Sequence, residues 1–372
     1  MKLIVVGGGI IGCATAYELA KAGCAVTLFE RASPGGEASS AAAGLLAPMG
    51  ESSGSPFERL ALASWRLYPE VAEELRDRAG IDVEYVTRGT IYPLHTAAEV
   101  DAAAARARRP QARELGIEAW DAADVLEREP VLASTVRGAM FVKGDHWVNN
   151  QRLVVAYAQA AIAAGVALRS GAAVTRVLVE GGRAHGVVVD GERFEADAVL
   201  LAAGAWTGEL VATFGARLPV EPRRGQMLAL GHVPPVLRHV VHAHDVYLVP
   251  RPSGELLVGA TVERVGFKRE VTAQGIGGLL ASAIAVAPAL GELSITRAWF
   301  GFRPWAPDDL PVLGPWPGVK GLFVATAHYR NGILLAPITA RLLCGWITTG
   351  RPMIEAAAFL PDRFLRKARS TS

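Results

Sequence analysis

Three groups of residues have the types and spacing that chemistry on charged small molecules requires. Gly7, Gly9 and Gly12 form G-x-G-x-x-G in the opening run MKLIVVGGGIIGCATAYELAKAGCAVTLFER. At this spacing the first glycine allows a tight turn, the second lets the backbone approach a pyrophosphate, and the third lets helix and strand pack closely. Glu30 follows Gly12 by 18 residues, close to the ~20 expected of an acid that accepts hydrogen bonds from ribose hydroxyls. Arg303 lies in GFRPWAPDDLPVLG, among Phe300, Phe302 and Trp305. A guanidinium so enclosed suits bidentate binding of a carboxylate; the competing reading is an internal ion pair with Asp308 or Asp309. Tyr247, in HDVYLVP, offers a hydroxyl for the same carboxylate or is an ordinary strand tyrosine with its ring in the core. Arg330, in HYRNGILLAP, stands between a strand and a helix, as a site cation or as a structural ion pair.

The surrounding elements must position these groups. Residues 3–6 are aliphatic throughout, which suits a parallel strand buried on both faces. A helix is expected over Ala14–Lys21, with Ala16, Leu19 and Ala20 on one apolar face and Gly23 at its end. A strand over Ala25–Phe29 then carries Glu30. This unit binds a dinucleotide but does not say which one. The Glu30 carboxylate disfavours a 2′-phosphate, and Arg31 could offset that. Residues 33–48, SPGGEASSAAAGLLAP, depart from the βα continuation usual in nicotinamide domains. Their apolar run suggests a short buried helix starting near Ser39 or Ser40 and aimed at the pyrophosphate.

Further along, Val199–Ala202 and Leu322–Ala325 also end in small residues, so one parallel sheet can hold them beside Leu3–Val6. Short strands are expected at Val83–Thr87, Thr90–Pro93 and Arg137–Phe141, and others at Gln226–Leu230, His239–His242, Tyr247–Pro250 and Leu256–Thr261. Pro252, Ser253 and Gly254 mark a hairpin between the last two. Together these strands predict a mixed, largely antiparallel sheet. Asn149 and Asn150 are both candidate caps for a helix over Gln151–Ala164.

The chain has 372 residues, 51% hydrophobic and 20% charged, with net charge +2, so two or three globular domains are expected and no nucleic-acid partner. Cys13, Cys24 and Cys344 are far apart, which argues against a disulfide or zinc framework and makes cytoplasmic residence the default expectation. The uncharged stretch between Glu270 and Glu292 reads as a buried or amphipathic helix ended by Pro288 rather than a membrane span.

GGGIIG, ASSAAAGLLAP at 38–48, the strand Ala198–Ala203 running into GAWT, and ATAHYRNGILLAP at 325–337 together resemble one family. It is that of the FAD-dependent amine and amino-acid oxidases related to D-amino-acid oxidase and sarcosine oxidase, and within it the bacterial glycine oxidases that serve thiamine synthesis. The resemblance implies an α/β fold: a discontinuous, Rossmann-like FAD-binding domain (1–80, 142–218, 301–372) and a substrate-binding domain (81–141, 219–300). It implies non-covalent FAD, because no cysteine lies near Phe302, where relatives tether the flavin. FAD contacts are implied at Gly7, Gly9, Ile10, Ile11, Gly12, Glu30, Arg31, Ala38, Ser39, Ser40, Ala43, Gly44, Leu45, Val174 and Gly204, and along His328, Tyr329, Arg330, Asn331, Gly332, Ile333 and Leu334. Substrate contacts are implied at Arg303, Tyr247, Arg330 and Leu45, with no catalytic base and no metal. The implied reaction is hydride transfer from a small amino acid (glycine, sarcosine, a small D-amino acid) to flavin N5, with oxygen as acceptor, hydrogen peroxide as product and a homotetrameric enzyme. Three other readings stay open: a dehydrogenase passing electrons to a quinone or carrier, a flavoprotein that binds without turnover, and a nicotinamide dehydrogenase. His244 and Asp245 receive no role, since relatives carry a histidine where Asp245 aligns.

Overall fold

Four strands finish level with one another, and that alignment creates the site. In the computed structural model, which describes residues 1–49, 54–109, 112–231 and 236–365, Lys2–Val6 is flanked by Ala25–Glu30 on one side and Ala198–Leu201 on the other. Leu322–Thr326 follows beyond Ala198–Leu201. All four are parallel, with Val6 opposite both Phe29 and Leu201, and Leu201 opposite Val324. Their carboxyl ends therefore deliver Gly7, Glu30, Ala202 and Ala325 to one edge, where α/β sheets bind ligands. Ala167–Ser170 and the antiparallel Val312–Pro315 complete the six-stranded sheet.

One face of this sheet is covered by three helices, Ile10–Lys21, Asn150–Ala163 and Gly332–Thr349, which pack together in the main apolar core. Gly332–Thr349 is long and apolar enough to cross a membrane by composition, but 61% of it is buried inside the protein, as fits a core helix. Ile10–Lys21 starts earlier than the pattern over Ala14–Lys21 suggested, because Gly9 is extended and serves as its cap. The expected buried helix is four residues, Ala38–Ala41, and only half-buried; it fronts a cavity rather than a core. Asn149, not Asn150, caps Asn150–Ala163, its side chain accepting from the Arg152 amide at 3.2 Å.

An eight-stranded sheet faces this unit. Its order is Ser294–Trp305, Glu221–Gly231, Glu255–Gly259, Tyr247–Pro250, Val240–His242, Thr90–Leu94, Gly138–Val142 and Ile117–Asp121. Every pairing is antiparallel except Val240–His242 with Thr90–Leu94. The hairpin around Pro252–Gly254 joins Tyr247–Pro250 to Glu255–Gly259, as expected. Val83–Thr87 does not form a strand; Val86 makes an isolated bridge to Trp147. Between Glu270 and Glu292 the helix is Ala273–Val286, 14 residues that bury Leu279 and Ala283 and stop short of Pro288. A three-stranded antiparallel sheet, Val174–Glu180, Arg183–Val189 and Glu192–Glu195, completes the fold beside the parallel sheet.

Candidate functional site

A cavity of about 2050 Å³ runs from the carboxyl edge of the parallel sheet to the inner face of the eight-stranded sheet. Small-molecule pockets usually occupy ~300–1,000 Å³, so this one has room for a dinucleotide and a further small ligand. Gly7, Gly9, Ile10, Ile11, Glu30, Arg31, Ala38, Ser39, Ala43, Gly44, Leu45, Val174, Gly204, Tyr247, Arg303 and the run from His328 to Ile333 all line it. Gly12, Ser40 and Leu334 do not. Gly12 lies under the turn, Ser40 donates its amide to the Gly35 carbonyl, and Leu334 is in the core.

At the first end the glycines act through space they leave empty. A Cβ on Gly7 would lie 2.5 Å from the Ala202 carbonyl oxygen, and Gly7 has φ +107°. A Cβ on Gly12 would lie 1.8 Å from the Gly7 carbonyl oxygen. The Ile10 amide, in the first turn of its helix, donates to Ser39 Oγ at 3.0 Å, which ties the second loop to the glycine turn. Glu30 accepts from the amides of Gly8 (2.7 Å) and Ala32 (2.9 Å), one on each oxygen. Its carboxylate is fixed in place with lone pairs to spare. Arg31 is held by Glu37 at 2.6 Å and lies over the Trp206 ring at 3.6 Å. So engaged, it offers little offset to Glu30 for a 2′-phosphate.

The loop after Ser39 is strapped down by two residues to which sequence reasoning gave no such role. Asn150 Nδ2 donates to the carbonyls of Ser39 (2.8 Å) and Ser40 (3.1 Å). Arg251, buried against Trp147, donates to the carbonyls of Ala43 (2.9 Å) and Val148 (3.1 Å) and to Asn150 Oδ1 (3.3 Å). The cost of burying a guanidinium among neutral carbonyls shows in its titration, which burial pulls down to about 10. Gly44, at φ +74°, has no room for a Cβ beside the Val148 carbonyl. Gly301 likewise lets Ala41 approach the long edge strand.

At the second end Arg303 and Tyr247 come together from different strands. Arg303 donates to the Thr261 carbonyl at 2.9 Å and has no carboxylate partner among the described residues. The rival reading fails because Asp308 pairs with Arg363 at 2.7 Å and Asp309 accepts from Trp305 Nε1 at 2.6 Å. The Tyr247 hydroxyl, turned toward Met227 Sδ at 3.6 Å, lies in the fields of Arg303 and Arg330; burial raises its pKa and the two guanidinia oppose the rise. Both side chains rest on glycines. A Cβ on Gly225 would lie 2.2 Å from the Arg303 guanidinium, and one on Gly259 would lie 2.7 Å from the Tyr247 ring. Glycine inside a strand marks such close approaches, and that was the available signal. Gly225→Ala should therefore displace the guanidinium and raise the Michaelis constant for a carboxylate-bearing substrate about 10- to 100-fold, with cofactor retained. Steady-state kinetics beside the visible spectrum check this; an unchanged constant would show that the glycine bed does not position Arg303.

The His328–Ile333 turn supplies the cavity floor. Ala327 and Tyr329 have φ +58° and +48°, and the Tyr329 amide donates to the Pro304 carbonyl at 2.9 Å. The helix that begins at Gly332 starts at the cavity wall, which Gly332 and Ile333 line, and a helix N-terminus attracts anions. His328 is buried and contacts Thr339 Oγ1 at 3.1 Å; burial pulls its pKa to about 3, so it stays neutral. Arg330 is exposed and contacts the Tyr329 hydroxyl at 3.3 Å.

Behind the second end lies a buried acid that sequence did not single out. Asp145 Oδ2 accepts from the Tyr92 hydroxyl at 2.6 Å, and Oδ1 has no partner among the described residues. Tyr92 lines the cavity and packs on His242, which stacks on Tyr247. Burial pushes the Asp145 carboxyl up to about 7, against the opposing effect of its hydrogen bonds and Arg106. Since its folded pKa lies above the unfolded value, the stability it contributes is full below about pH 4 and is lost as pH rises toward 7. Asp145→Asn should abolish that loss, on the order of 1–4 kcal/mol between pH 4 and pH 8. Urea unfolding at the two pH values tests it, and parallel pH profiles for the two proteins would contradict it.

Comparison with known proteins agrees with this geometry. Residues 2–346 match the family described as DAO, FAD dependent oxidoreductase. The chain is 36% identical to glycine oxidase of Pseudomonas putida over 97% of its own length and 98% of that protein. The crystal structure of glycine oxidase from Geobacillus kaustophilus superposes with a TM-score of 0.92 at 37% identity, covering 97% of this chain and 98% of that one. The crystal structure of iminodiacetate oxidase from Chelativorans sp. gives 0.90 at 28% identity, covering 96% and 98%.

Proposed function

This chain belongs to the DAO family of FAD-dependent oxidoreductases, and from that premise we propose that it oxidises small amino acids such as glycine, sarcosine and small D-amino acids. The proposed products are an imine, which water converts to a 2-oxo acid, and hydrogen peroxide. The observation that carries this reading is Arg303: a guanidinium without a carboxylate partner among the described residues, beside a tyrosine hydroxyl, at the far end of a dinucleotide-sized cavity.

The residues present fit FAD. The glycine turn that no Cβ could enter, the fixed Glu30 carboxylate and the Ser39–Leu45 loop would hold its ADP and pyrophosphate portions, and the His328–Ile333 turn its ring system. Cys13, Cys24 and Cys344 are free and none lines the cavity, which supports non-covalent binding. FAD supplies the acceptor for the hydride that leaves the substrate α-carbon. The chain's own contribution is placement. Arg303 and Tyr247 grip the carboxylate and so fix the α-carbon. The fields of Arg303 and Arg330 disfavour an ammonium beside them, which eases loss of the amine proton to water. Leu45 and Met227 line the same cavity with apolar surface.

The same reading assigns 1–80, 142–218 and 301–372 to FAD binding and 81–141 and 219–300 to substrate. The strand Ser294–Trp305 runs unbroken across residue 300 and carries Arg303 toward the substrate side. Cytoplasmic residence and a homotetramer belong to the proposal too; the free cysteines support the first, and sedimentation tests the second. Oxygen consumption and peroxide formation should match amino acid consumed mole for mole. Oxidation of glycine with a quinone or dye, but not with oxygen, would make the protein a dehydrogenase instead.

A further inference from the structure

Pro337 stands inside Gly332–Thr349, the helix that starts at the cavity wall, and interrupts its bonding near that start. A proline has no amide hydrogen, and its ring crowds the carbonyl four residues back. The Ile333 carbonyl therefore has no donor within the helix. Hydroxyls from two other helices close the gap. Tyr68, fully buried at the start of Tyr68–Ala79, donates its hydroxyl to the Ile333 carbonyl. Ser64, fully buried near the end of Pro56–Trp65, serves the next rung. Its Oγ donates to the Leu334 carbonyl at 2.6 Å and accepts from the Ile338 amide at 3.3 Å. A side chain inserted in this way fixes the course of a helix. Neither residue lines the cavity.

What they hold is the helix opening. No side chain caps it, and its first turn contains no acid. Its first bond runs from the Leu335 amide to the Asn331 carbonyl at 2.8 Å, so the amides of Gly332, Ile333 and Leu334 have no helical partner. Gly332 and Ile333 line the part of the cavity proposed above to receive the FAD ring system. We infer that Tyr68 and Ser64 are positioning residues for the flavin: they fix the helix opening across the gap at Pro337, and the field of that opening makes bound FAD easier to reduce. Reduction adds negative charge to the ring system. A helix N-terminus stabilises such charge only within its first turn, so an opening that shifts loses the effect. The inference rests on the FAD binding proposed above and not on which substrate is oxidised.

The test is the two-electron midpoint potential of the FAD-loaded protein, measured against a reference dye with no amino acid present. Tyr68→Phe removes one oxygen and leaves the Ile333 carbonyl unpaired. It should weaken the reduction equilibrium about tenfold, a fall of about 30 mV for two electrons. Ser64→Ala should shift the potential in the same direction. Pro337→Ala returns an amide hydrogen to the helix, and in the Tyr68→Phe background it should restore most of the loss. Tyr157→Phe removes a buried tyrosine hydroxyl elsewhere in the same core and should leave the potential unchanged. A Tyr68→Phe potential equal to wild type's, whatever the loss of stability, makes the contact structural only and overturns the inference. So does a double variant that regains stability but not potential. Should Tyr68→Phe fail to retain FAD, the double variant decides: FAD regained supports the inference and FAD still lost overturns it. A flavin that no amino acid reduces overturns the proposed substrate and leaves this result standing, whereas a wild-type protein that never binds FAD overturns both.

Discussion

Arg303→Ala should lower kcat/KM for amino acids about 100- to 10,000-fold and leave FAD bound. A hydrogen bond to a charged group is worth about 1.5–3 kcal/mol, and a bidentate pair makes two of them. Tenfold corresponds to about 1.4 kcal/mol, so loss of the pair gives the stated range. The effect should fall more on KM than on kcat, because the carboxylate is held before and during the reaction. The cofactor should stay because Arg303 reaches the far end of the cavity from the eight-stranded sheet, whereas the residues proposed to hold the dinucleotide, among them Gly7, Gly9, Ile10, Glu30, Ser39 and Gly44, line the other end. Its guanidinium donates to the Thr261 carbonyl and forms no ion pair among the described residues, so the fold loses little. Kinetics within threefold of wild type would take Arg303 out of the site.

The second large effect is expected at Gly12. Gly12→Ala should yield protein that retains less than about a tenth of the wild-type FAD. The added methyl would meet the Gly7 carbonyl oxygen at 1.8 Å. That oxygen cannot retreat easily, because the Gly7 amide is held by the Phe29 carbonyl at 2.8 Å and Ala202 leaves no room for even a Cβ on Gly7. The helix Ile10–Lys21 must lift off the strand instead, taking its amide-bearing end away from the pyrophosphate position. Gly277→Ala is the control. That glycine lies in Ala273–Val286, and a methyl group there would have nothing within 4 Å. Alanine at this position should leave FAD content unchanged and favour the helix. Equal FAD content in wild type and Gly12→Ala, by absorbance against protein concentration, would contradict the packing argument.

The glycine turn was legible in sequence because it is local: strand, turn, helix and acid fall within residues 2–30. The return of distant segments to the same sheet edge was legible too, since Ala198–Leu201 and Leu322–Thr326 carry the same pattern of apolar residues ending in small ones. Arg303 and Tyr247 could be named, yet what makes them a pair could not. They meet because Ser294–Trp305, Glu221–Gly231, Glu255–Gly259 and Tyr247–Pro250 lie side by side, with Gly225 and Gly259 beneath them. Strand order depends on pairings across tens of residues, which no local pattern reports. The strapping roles of Arg251 and Asn150 were hidden for the same reason: they hold the backbone of residues more than a hundred positions away. Asp145 was invisible because its properties come from burial. The expected strand at Val83–Thr87 had the right residue types but found a partner at Val86 alone.

If amino acids deliver their electrons to FAD in this cavity, anaerobic mixing shows it most directly. Purified holoprotein is mixed without oxygen with glycine, sarcosine, D-alanine, D-proline or glycerol 3-phosphate while the visible flavin absorption is followed. At least one of the amino acids should bleach the flavin, and glycerol 3-phosphate should not. Arg303→Ala should need far higher amino-acid concentrations for the same bleaching. Bleaching by glycerol 3-phosphate with none of the amino acids, or by nothing in the panel, would contradict amino-acid oxidation at this site.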